Sequence, residues 1–156
     1  MTLGQDIARL RALPIFSEFQ DEQLRLIAFS AEPLDLPAET VLFREGAAAD
    51  GGYVVTSGLV RLQCAGEEGP VEKGRVGPGA LIGELALLCP TTRPATAETV
   101  ERSALMAISR RLLRRVFEEY PDMAGQLRQS LARRLHLMTT DLDQARRALE
   151  ALDARG

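Results

Sequence analysis

The chain has 156 residues and a net charge of −3, a length that suits one domain with a sizeable core. The charges are unevenly distributed: there are nine basic and fifteen acidic residues up to Ser109, and ten basic and seven acidic residues from Arg110 onward. Neither imbalance is strong enough to predict a nucleic-acid surface. Two cysteines and one histidine argue against a disulfide framework or a metal centre, and no apolar run approaches the ~20 residues of a membrane span, so we expect a cytoplasmic protein that binds neither metal nor membrane.

Two short helices are predicted in the N-terminal region, residues 1–30. Apolar residues at helical spacing predict a first helix from Thr2 that ends before Pro14. The second helix is predicted to begin after a cap at Ser17 or Asp21 and to run to about Phe29. We expect these helices to lead into the main domain.

Residues 31–109 contain short apolar runs separated by glycines and acidic turns, which predicts β-strands. Short, evenly spaced strands favour a small antiparallel roll or barrel, so the predicted fold class is α+β, mainly β, with a jelly-roll-like β-roll. The named strand predictions are Thr40 to Phe43, Gly52 to Thr56, Leu59 to Cys64, Ala95 to Val100 and Ala104 to Ile108.

Residues 82–97 carry the clearest functional signal. Gly83 opens a short helical turn from Glu84 to Leu88, a turn-rich connection follows, and Arg93 precedes a β-like run. This order places backbone N–H groups, a carboxylate and a guanidinium around one concavity. The stretch therefore predicts a site for a phosphate attached to a group with hydroxyls.

The same residues resemble the phosphate-binding cassette of the cyclic nucleotide-binding domain family, which reads approximately Gly-Glu-Leu-Ala-Leu, a variable stretch, then Arg-x-Ala-Thr. The resemblance extends from about Leu13 to about Leu142 and implies a β-roll with flanking helices that binds cyclic AMP or cyclic GMP. The matching cassette residues are Gly83, Glu84, Leu85, Ala86, Leu87, Arg93, Ala95 and Thr96.

The resemblance assigns roles to these residues. Arg93 would pair with two phosphate oxygens through its planar guanidinium. Glu84 would accept a hydrogen bond from the ribose 2′-hydroxyl, or it serves only to cap the helical turn. Gly83 would let the sugar approach the backbone, and the amides of Leu85 and Ala86 would point at the phosphate. The side chains of Leu85, Leu87 and Leu88 are predicted to be core.

Pro94 is the main departure from the family pattern. In kinase-type cassettes the residue after the arginine gives an amide N–H to the phosphate, and proline has none. The missing bond weakens the predicted affinity by about 1 kcal/mol. Relatives selective for cyclic GMP carry a threonine here, so we favour cyclic AMP slightly. The hydroxyl of Thr96 either reaches the pocket or pairs across strands.

Helical periodicity begins after Ser109, a good N-cap, and predicts helices over Arg110 to Glu119 and from Pro121 to about Leu152. The first of these carries four arginines followed by two glutamates at pairing distance, which favours an ion-paired, solvated face over a nucleic-acid contact. The residues of this face are Arg110, Arg111, Arg114, Arg115, Glu118 and Glu119.

Residues 110–156 are also predicted to form a dimer. Apolar residues alternate at spacings of four and three, which is typical of a coiled-coil seam, and predict a parallel homodimer. They are Leu131, Leu135, Met138, Leu142, Ala145, Leu149 and Leu152. The segment resembles the dimer helix of catabolite activator-like family members, which implies that Thr139, or Thr140, contacts the base; a surface threonine on the helix is the alternative.

The function predicted is a cyclic nucleotide-binding sensor rather than an enzyme, because no catalytic constellation competes with the cassette. It would signal to an effector protein through a shift of its C-terminal helices. No helix-turn-helix follows the predicted dimer helix, so we expect no DNA contact from this chain alone. A scaffold of the same fold without ligand, or a relative of a transcription regulator, are the alternatives.

Overall fold

A computed structural model describes residues 3–123, 125 and 129 of the chain. The chain divides into two compact units, Met1–Glu119 and Tyr120–Gly156. The first unit opens with helix α1 (Leu3–Arg11), a 3-10 helix (Pro14–Phe16) and helix α2 (Asp21–Ser30). Both predicted N-terminal helices are therefore present, and Pro14 begins the 3-10 helix.

The start of α2 differs from the prediction. Neither Ser17 nor Asp21 caps this helix: the N-cap is Gln20, whose backbone N–H donates to Gln23 Oε1 at 2.8 Å. The Ser17 hydroxyl instead donates to the carbonyl of Pro14 at 2.9 Å. A reciprocal Gln-Gln capping box thus satisfies the helix start that a shorter polar side chain was expected to satisfy.

Aromatic contacts join the helices of the first unit. The rings of Phe16 and Phe19 meet edge to face at 5.3 Å between centroids, and Phe19 meets Phe117 at 6.2 Å. Phe16 and Phe19 are almost fully buried, as are Leu24 and Ile27 of α2. Edge-to-face ring pairs add to the burial of apolar area, so this cluster fixes the N-terminal helices against helix α3 (Arg110–Glu119).

Ten strands are present among the described residues, and every pairing between them is antiparallel. Two sheets have four strands each, in the orders β1-β10-β4-β7 and β2-β9-β5-β6, and β3 pairs with β8. The strands are β1 (Glu32–Leu36), β2 (Val41–Phe43), β3 (Ala48–Ala49), β4 (Gly51–Ser57), β5 (Val60–Gly66), β6 (Gly69–Val76), β7 (Leu81–Ile82), β8 (Thr91–Thr92), β9 (Thr96–Thr99) and β10 (Ser103–Ser109).

The predicted fold class is confirmed: the structure is mainly antiparallel β with flanking helices, as expected for a β-roll. The core of the roll contains side chains from both four-stranded sheets, including Val55 and Leu105 from one and Val60 and Ala97 from the other. Ile82, at the start of the cassette, belongs to the same core. The cassette is therefore anchored at its N-terminal side by apolar packing.

Helix α3 follows β10 without a loop. The Ser109 hydroxyl accepts a hydrogen bond from Leu112 N–H at 3.0 Å, which confirms Ser109 as its N-cap and Arg110–Glu119 as its extent. In the second unit, residues 121–123, 125 and 129 are helical. These residues belong to the helix predicted from Pro121 to about Leu152; the rest of that helix, with the coiled-coil seam and Thr139, lies outside the described residues.

Candidate ligand-binding site

The cassette turn begins at Gly83, whose φ of +85° lies in the left-handed region. Residues Leu85–Leu87 then form a 3-10 helix, in which Ala86 N–H donates to Gly83 O and Leu87 N–H donates to Glu84 O, both at 3.1 Å. A residue with a side chain would be strained at this φ, so glycine is required to start the turn. The predicted helical turn is present, but it is tighter than an α-helix.

The side chains of the turn divide between core and surface. Ala86 and Leu87 are buried, which agrees with the predicted core role of Leu87. Leu85 was wrongly predicted as core: 52% of it is exposed, because the 3-10 turn directs this residue outward while its neighbours pack inward. Glu84 is exposed at the N-cap position of the turn.

Arg93 is held in place by its own backbone. Its N–H donates to Ala47 O at 2.9 Å, and its carbonyl accepts a bond from Gly46 N–H at 2.8 Å. Strand β8, which immediately precedes it, pairs with β3 in the same region. The main chain at Arg93 is thus fixed on both sides, so its side chain starts from a defined position.

The guanidinium of Arg93 is buried, with only 4% of the residue exposed, and its Nη1 has no hydrogen-bond partner. None of the ion pairs formed by the described residues includes Arg93. Arg61 in strand β5 also has a buried nitrogen without a partner, its Nε, but its guanidinium already has an anion, since Nη2 pairs with Glu98 Oε1 at 2.5 Å. A buried guanidinium that lacks both an ion pair and a full set of acceptors is costly, and an anion bound at Arg93 would supply both.

Two aromatic rings face the Arg93 guanidinium. Its Cζ lies 4.3 Å from the centroid of the Phe43 ring and 5.5 Å from that of Tyr53, and the two rings lie 5.9 Å apart. Cation–π attraction at these distances offsets part of the cost of burying the charge. Sequence reasoning missed both aromatic residues: it predicted the strands that contain them, but not that these strands lie beside Arg93.

Gly83 and Arg93 lie in direct proximity. A Cβ placed on Gly83 would come within 2.5 Å of Arg93 Nη1 and 3.2 Å of Gly51 O. The fold therefore brings together the two cassette residues whose combination predicted an anion site. The unpartnered Nη1 points to the backbone surface that glycine leaves open.

The remaining cassette residues, Pro94, Ala95 and Thr96, lead from Arg93 into β9, which begins at Thr96. Pro94 is exposed, lacks an N–H, and its carbonyl accepts a weak bond from the Cys64 thiol at 3.4 Å. Ala95 is partly buried. The Thr96 hydroxyl accepts a bond from the N–H of Glu45, a residue of the turn that follows β2, at 2.9 Å.

Arg110 occupies a different environment from the predicted solvated face. Its Nη1 donates to three carbonyls, those of Ala49 at 3.1 Å, Ala86 at 3.2 Å and Cys89 at 3.0 Å. The prediction that it joins an ion-paired row was wrong, because its position at the start of α3 faces the cassette turn. The other charged residues of that row are exposed, and the described part of the chain shows no ion pair among them.

Two cavities are lined by residues outside the 83–96 stretch, and the smaller one includes Tyr53, whose ring faces the Arg93 guanidinium. One of about 900 Å³ is lined by parts of α1, α2, β1 and β10, including Phe29, Leu34 and Met106. The other, of about 270 Å³, is lined by Asp50, Tyr53 and Ser109 among others. Neither contains a residue of the 83–96 stretch, so size alone does not point to the cassette, whereas the unpartnered guanidinium does.

Other site types receive no support in the described residues. Within residues 3–123, 125 and 129, no group of three or more His, Cys, Asp or Glu side chains could hold a metal ion. None of the helices in this same part of the chain combines the length and apolar character that membrane crossing requires.

Comparison with known families decides the relationship. Residues 33–120, more than half of the chain, match the cyclic nucleotide-binding domain. The chain belongs to the cyclic nucleotide-binding domain family. This confirms the resemblance inferred from the cassette.

Solved structures agree with this family assignment. The chain is 44% identical to a cyclic nucleotide-binding-like protein from Brucella abortus bv. 1 str. 9-941, covering 73% of this chain and 98% of that one, with a TM-score of 0.70. It is 33% identical to the N-terminal domain of a transcriptional regulator from Streptomyces coelicolor A3(2), covering 86% and 94%, with a TM-score of 0.80.

A curated relative is a longer protein. The chain is 27% identical over 129 residues to the CRP-like cAMP-activated global transcriptional regulator of Mycobacterium tuberculosis (strain CDC 1551 / Oshkosh). The match covers 82% of this chain and spans 58% of the regulator's length. The cyclic nucleotide-binding domain of this chain therefore corresponds to little more than half of that regulator.

Proposed function

We propose that this chain is a regulatory module that binds a cyclic mononucleotide, with cyclic AMP favoured over cyclic GMP. The observation that carries the proposal is the buried Arg93 guanidinium, whose Nη1 lies beside Gly83 without a partner. A cyclic phosphate would supply the negative charge and the acceptor oxygens that this group lacks. The proposal describes a binding module rather than an enzyme.

Each cassette residue would contact a different part of the nucleotide. Arg93 would hold the phosphate, Gly83 would allow close approach of the sugar, and Glu84 would accept a bond from the ribose 2′-hydroxyl. The amide of Leu85 would add to the phosphate site, whereas Ala86 N–H is bonded to Gly83 O in this conformation and Pro94 has no N–H. We therefore expect a site with fewer backbone donors than kinase-type cassettes.

The base and the output are assigned to the C-terminal region. Thr139 would contact the base, and the seam from Leu131 to Leu152 would form a homodimer. Ligand binding would shift the helices after Ser109 and pass the signal to an effector protein in the cytoplasm. The preference for cyclic AMP is supported by Pro94, which replaces the threonine of cyclic GMP-selective cassettes, and by the cAMP-activated relative.

Isothermal titration calorimetry with cyclic AMP and cyclic GMP tests the proposal. Arg93→Ala should weaken binding at least about 100-fold, because two charge-assisted bonds of about 1.5 kcal/mol each would be lost. Arg44→Ala is the matched control, since Arg44 is an exposed guanidinium near the same strands. Absence of heat with either nucleotide, or equal affinity in Arg93→Ala and Arg44→Ala, would refute the function.

A scaffold that has lost its ligand is a second candidate, favoured by the missing donor at Pro94 and the engaged amide of Ala86. It predicts a melting temperature that no cyclic nucleotide changes. A sensor domain of a transcription regulator is the other candidate, favoured by the similarity to the Mycobacterium tuberculosis regulator. A mobility-shift assay with genomic DNA, with and without cyclic AMP, separates it from a module that acts through a protein.

A further inference from the structure

Arg110 connects three parts of the first unit. It is the first residue of α3, its Nη1 donates to the carbonyls of Ala49, Ala86 and Cys89, and its backbone N–H donates to Asp50 O at 2.6 Å. Through its side chain and its backbone, Arg110 thus joins the end of β3 and the residue after it, the cassette turn and the start of α3.

The contact with the turn is made at its carbonyl end. A short helix leaves its last carbonyls without internal partners, and a cation placed there is favoured by both hydrogen bonding and the alignment of the peptide dipoles. Ala86 O and Cys89 O are such carbonyls, since the turn uses the oxygens of Gly83, Glu84 and Leu85 for its own bonds. Arg110 therefore caps the cassette turn from outside the cassette.

The geometry of the three bonds makes this connection stiff. A single Nη1 carries two hydrogens, so three acceptors between 3.0 and 3.2 Å require that one hydrogen be shared. Because Arg110 is partly buried and its backbone is tied to Asp50, a displacement of the turn cannot be absorbed by free rotation of an exposed side chain.

We propose that Arg110 is the positioning residue that transmits a movement of the cassette turn to α3. The inference rests on the proposed function, because the movement is the one caused by ligand at Arg93 and Gly83. The N-terminal end of the turn would then contact the phosphate, and its C-terminal end would contact α3 through Arg110. A ligand can shift α3 only through contacts whose free energy differs between the free and the bound state. The hydrogen bonds of Arg110 to Ala86 O and Cys89 O are the polar contacts that connect the turn to the helix.

Hydrogen–deuterium exchange of the full chain, with and without cyclic AMP, measures the coupling. In the wild type, we expect saturating cyclic AMP to change amide exchange in α3 about tenfold, within the range of common allosteric couplings. In Arg110→Gln this ligand-dependent change should fall to less than about twofold, whereas exchange in the cassette still responds to ligand. A purely structural role would alter exchange equally in the free and bound states.

Arg111→Gln is the matched control, because it removes the same charge from the next residue of the same helix, where the side chain is exposed. It should keep the tenfold response. If Arg110→Gln does not fold, as judged by thermal melting, Arg110→Met, which keeps an unbranched side chain but has no donor, decides instead and should lose most of the response.

Calorimetry on the same samples separates the two levels of the proposal. If cyclic AMP binds but α3 responds equally in wild type and the Arg110 variants, or does not respond in wild type, the coupling is wrong and the binding function stands. If neither cyclic AMP nor cyclic GMP binds to the wild type, the proposed function fails and the coupling fails with it.

Discussion

Phe43 should position the guanidinium that binds the ligand, so Phe43→Leu should weaken cyclic nucleotide binding without removing any group that touches the phosphate. The ring lies 4.3 Å from Arg93 Cζ, and the arginine is 4% exposed. Cation–π contacts range from about 0.5 kcal/mol at exposed sites to about 2 kcal/mol when desolvated. Because Tyr53 remains at 5.5 Å, we expect a loss of about 1.4 kcal/mol, which corresponds to a tenfold higher Kd.

The physical reason is preorganisation. Without the Phe43 ring, the buried charge loses the contact that offsets its desolvation, and the side chain gains by turning toward water. Ligand must then draw the guanidinium back into place. Leucine keeps the position apolar, so the loss in folding stability should remain within about 1 to 2 kcal/mol, measured by urea unfolding.

Tyr53→Phe serves as the control for this measurement, since it keeps the second ring and removes only a hydroxyl. Calorimetry with cyclic AMP should give a wild-type Kd for this variant. The reasoning would be refuted if Phe43→Leu bound cyclic AMP within twofold of wild type while Arg93→Ala lost binding, because stacking would then have no part in placing the guanidinium.

Two further variants test the backbone and the surface charges. Gly83→Ala should lose at least about 1 kcal/mol of folding stability from the φ of +85° and should displace the Arg93 guanidinium, which lowers the affinity for cyclic AMP. Gly79→Ala is the control, because φ is also positive there but a Cβ meets nothing within 4 Å. Equal affinities in the two variants would contradict the close contact between Gly83 and Arg93. Asp35 accepts two bonds from Arg102, at 3.1 and 2.8 Å, and this hydrogen bonding holds the pKa of Asp35 below its ordinary value of 3.8. Because the folded-state pKa of Asp35 lies below its ordinary value, the ion pair stabilises the fold fully at a pH above the ordinary value. This contribution is lost as the pH falls through the folded-state pKa. The difference in urea midpoint between wild type and Asp35→Asn should therefore be small and positive at about pH 6 and should shrink as the pH is lowered below 3.8, and a difference that grows on acidification would contradict the assignment.

Much of the site could be predicted because its signals are local. Gly83, the helical turn after it and Arg93 lie within a dozen residues, and glycine, a short apolar turn and one arginine each have a limited set of structural roles. The structure adds that Arg93 Nη1 lies against the Gly83 backbone. Leu85 shows the limit of the local pattern, since a 3-10 turn and an α-helix bury different residues.

The residues that support the site could not be predicted, because their contacts are long-range. Phe43 and Tyr53 reach Arg93 only after β2 and β4 have joined different sheets. Arg110 meets carbonyls 21 and 24 residues earlier in the chain, and helical spacing placed it in a solvated row. Periodicity predicts which face a residue occupies only when the surroundings of the helix are known.

Two edge strands were another part of the fold without a clear sequence signal, although the edge strand β2 was predicted. β1 and β6 lie at the edges of their sheets and were not named among the predicted strands. β1 contains Pro33, and β6 is rich in glycine and charged residues. Proline and charge are common on edge strands because they discourage pairing with another chain, but they also obscure the alternation by which a strand is predicted.

The absence of a carboxylate partner for Arg93 among the described residues bears on how long the protein persists in a cell. On the proposed function, an occupant neutralises a charge that the fold itself leaves open, so occupancy also raises resistance to unfolding, by about 2.7 kcal/mol when the ligand concentration is 100 times its Kd. Proteases act on the unfolded fraction. The abundance of the protein would thus rise and fall with the concentration of the nucleotide it senses. This change in abundance would be slower than the immediate conformational response and would outlast it.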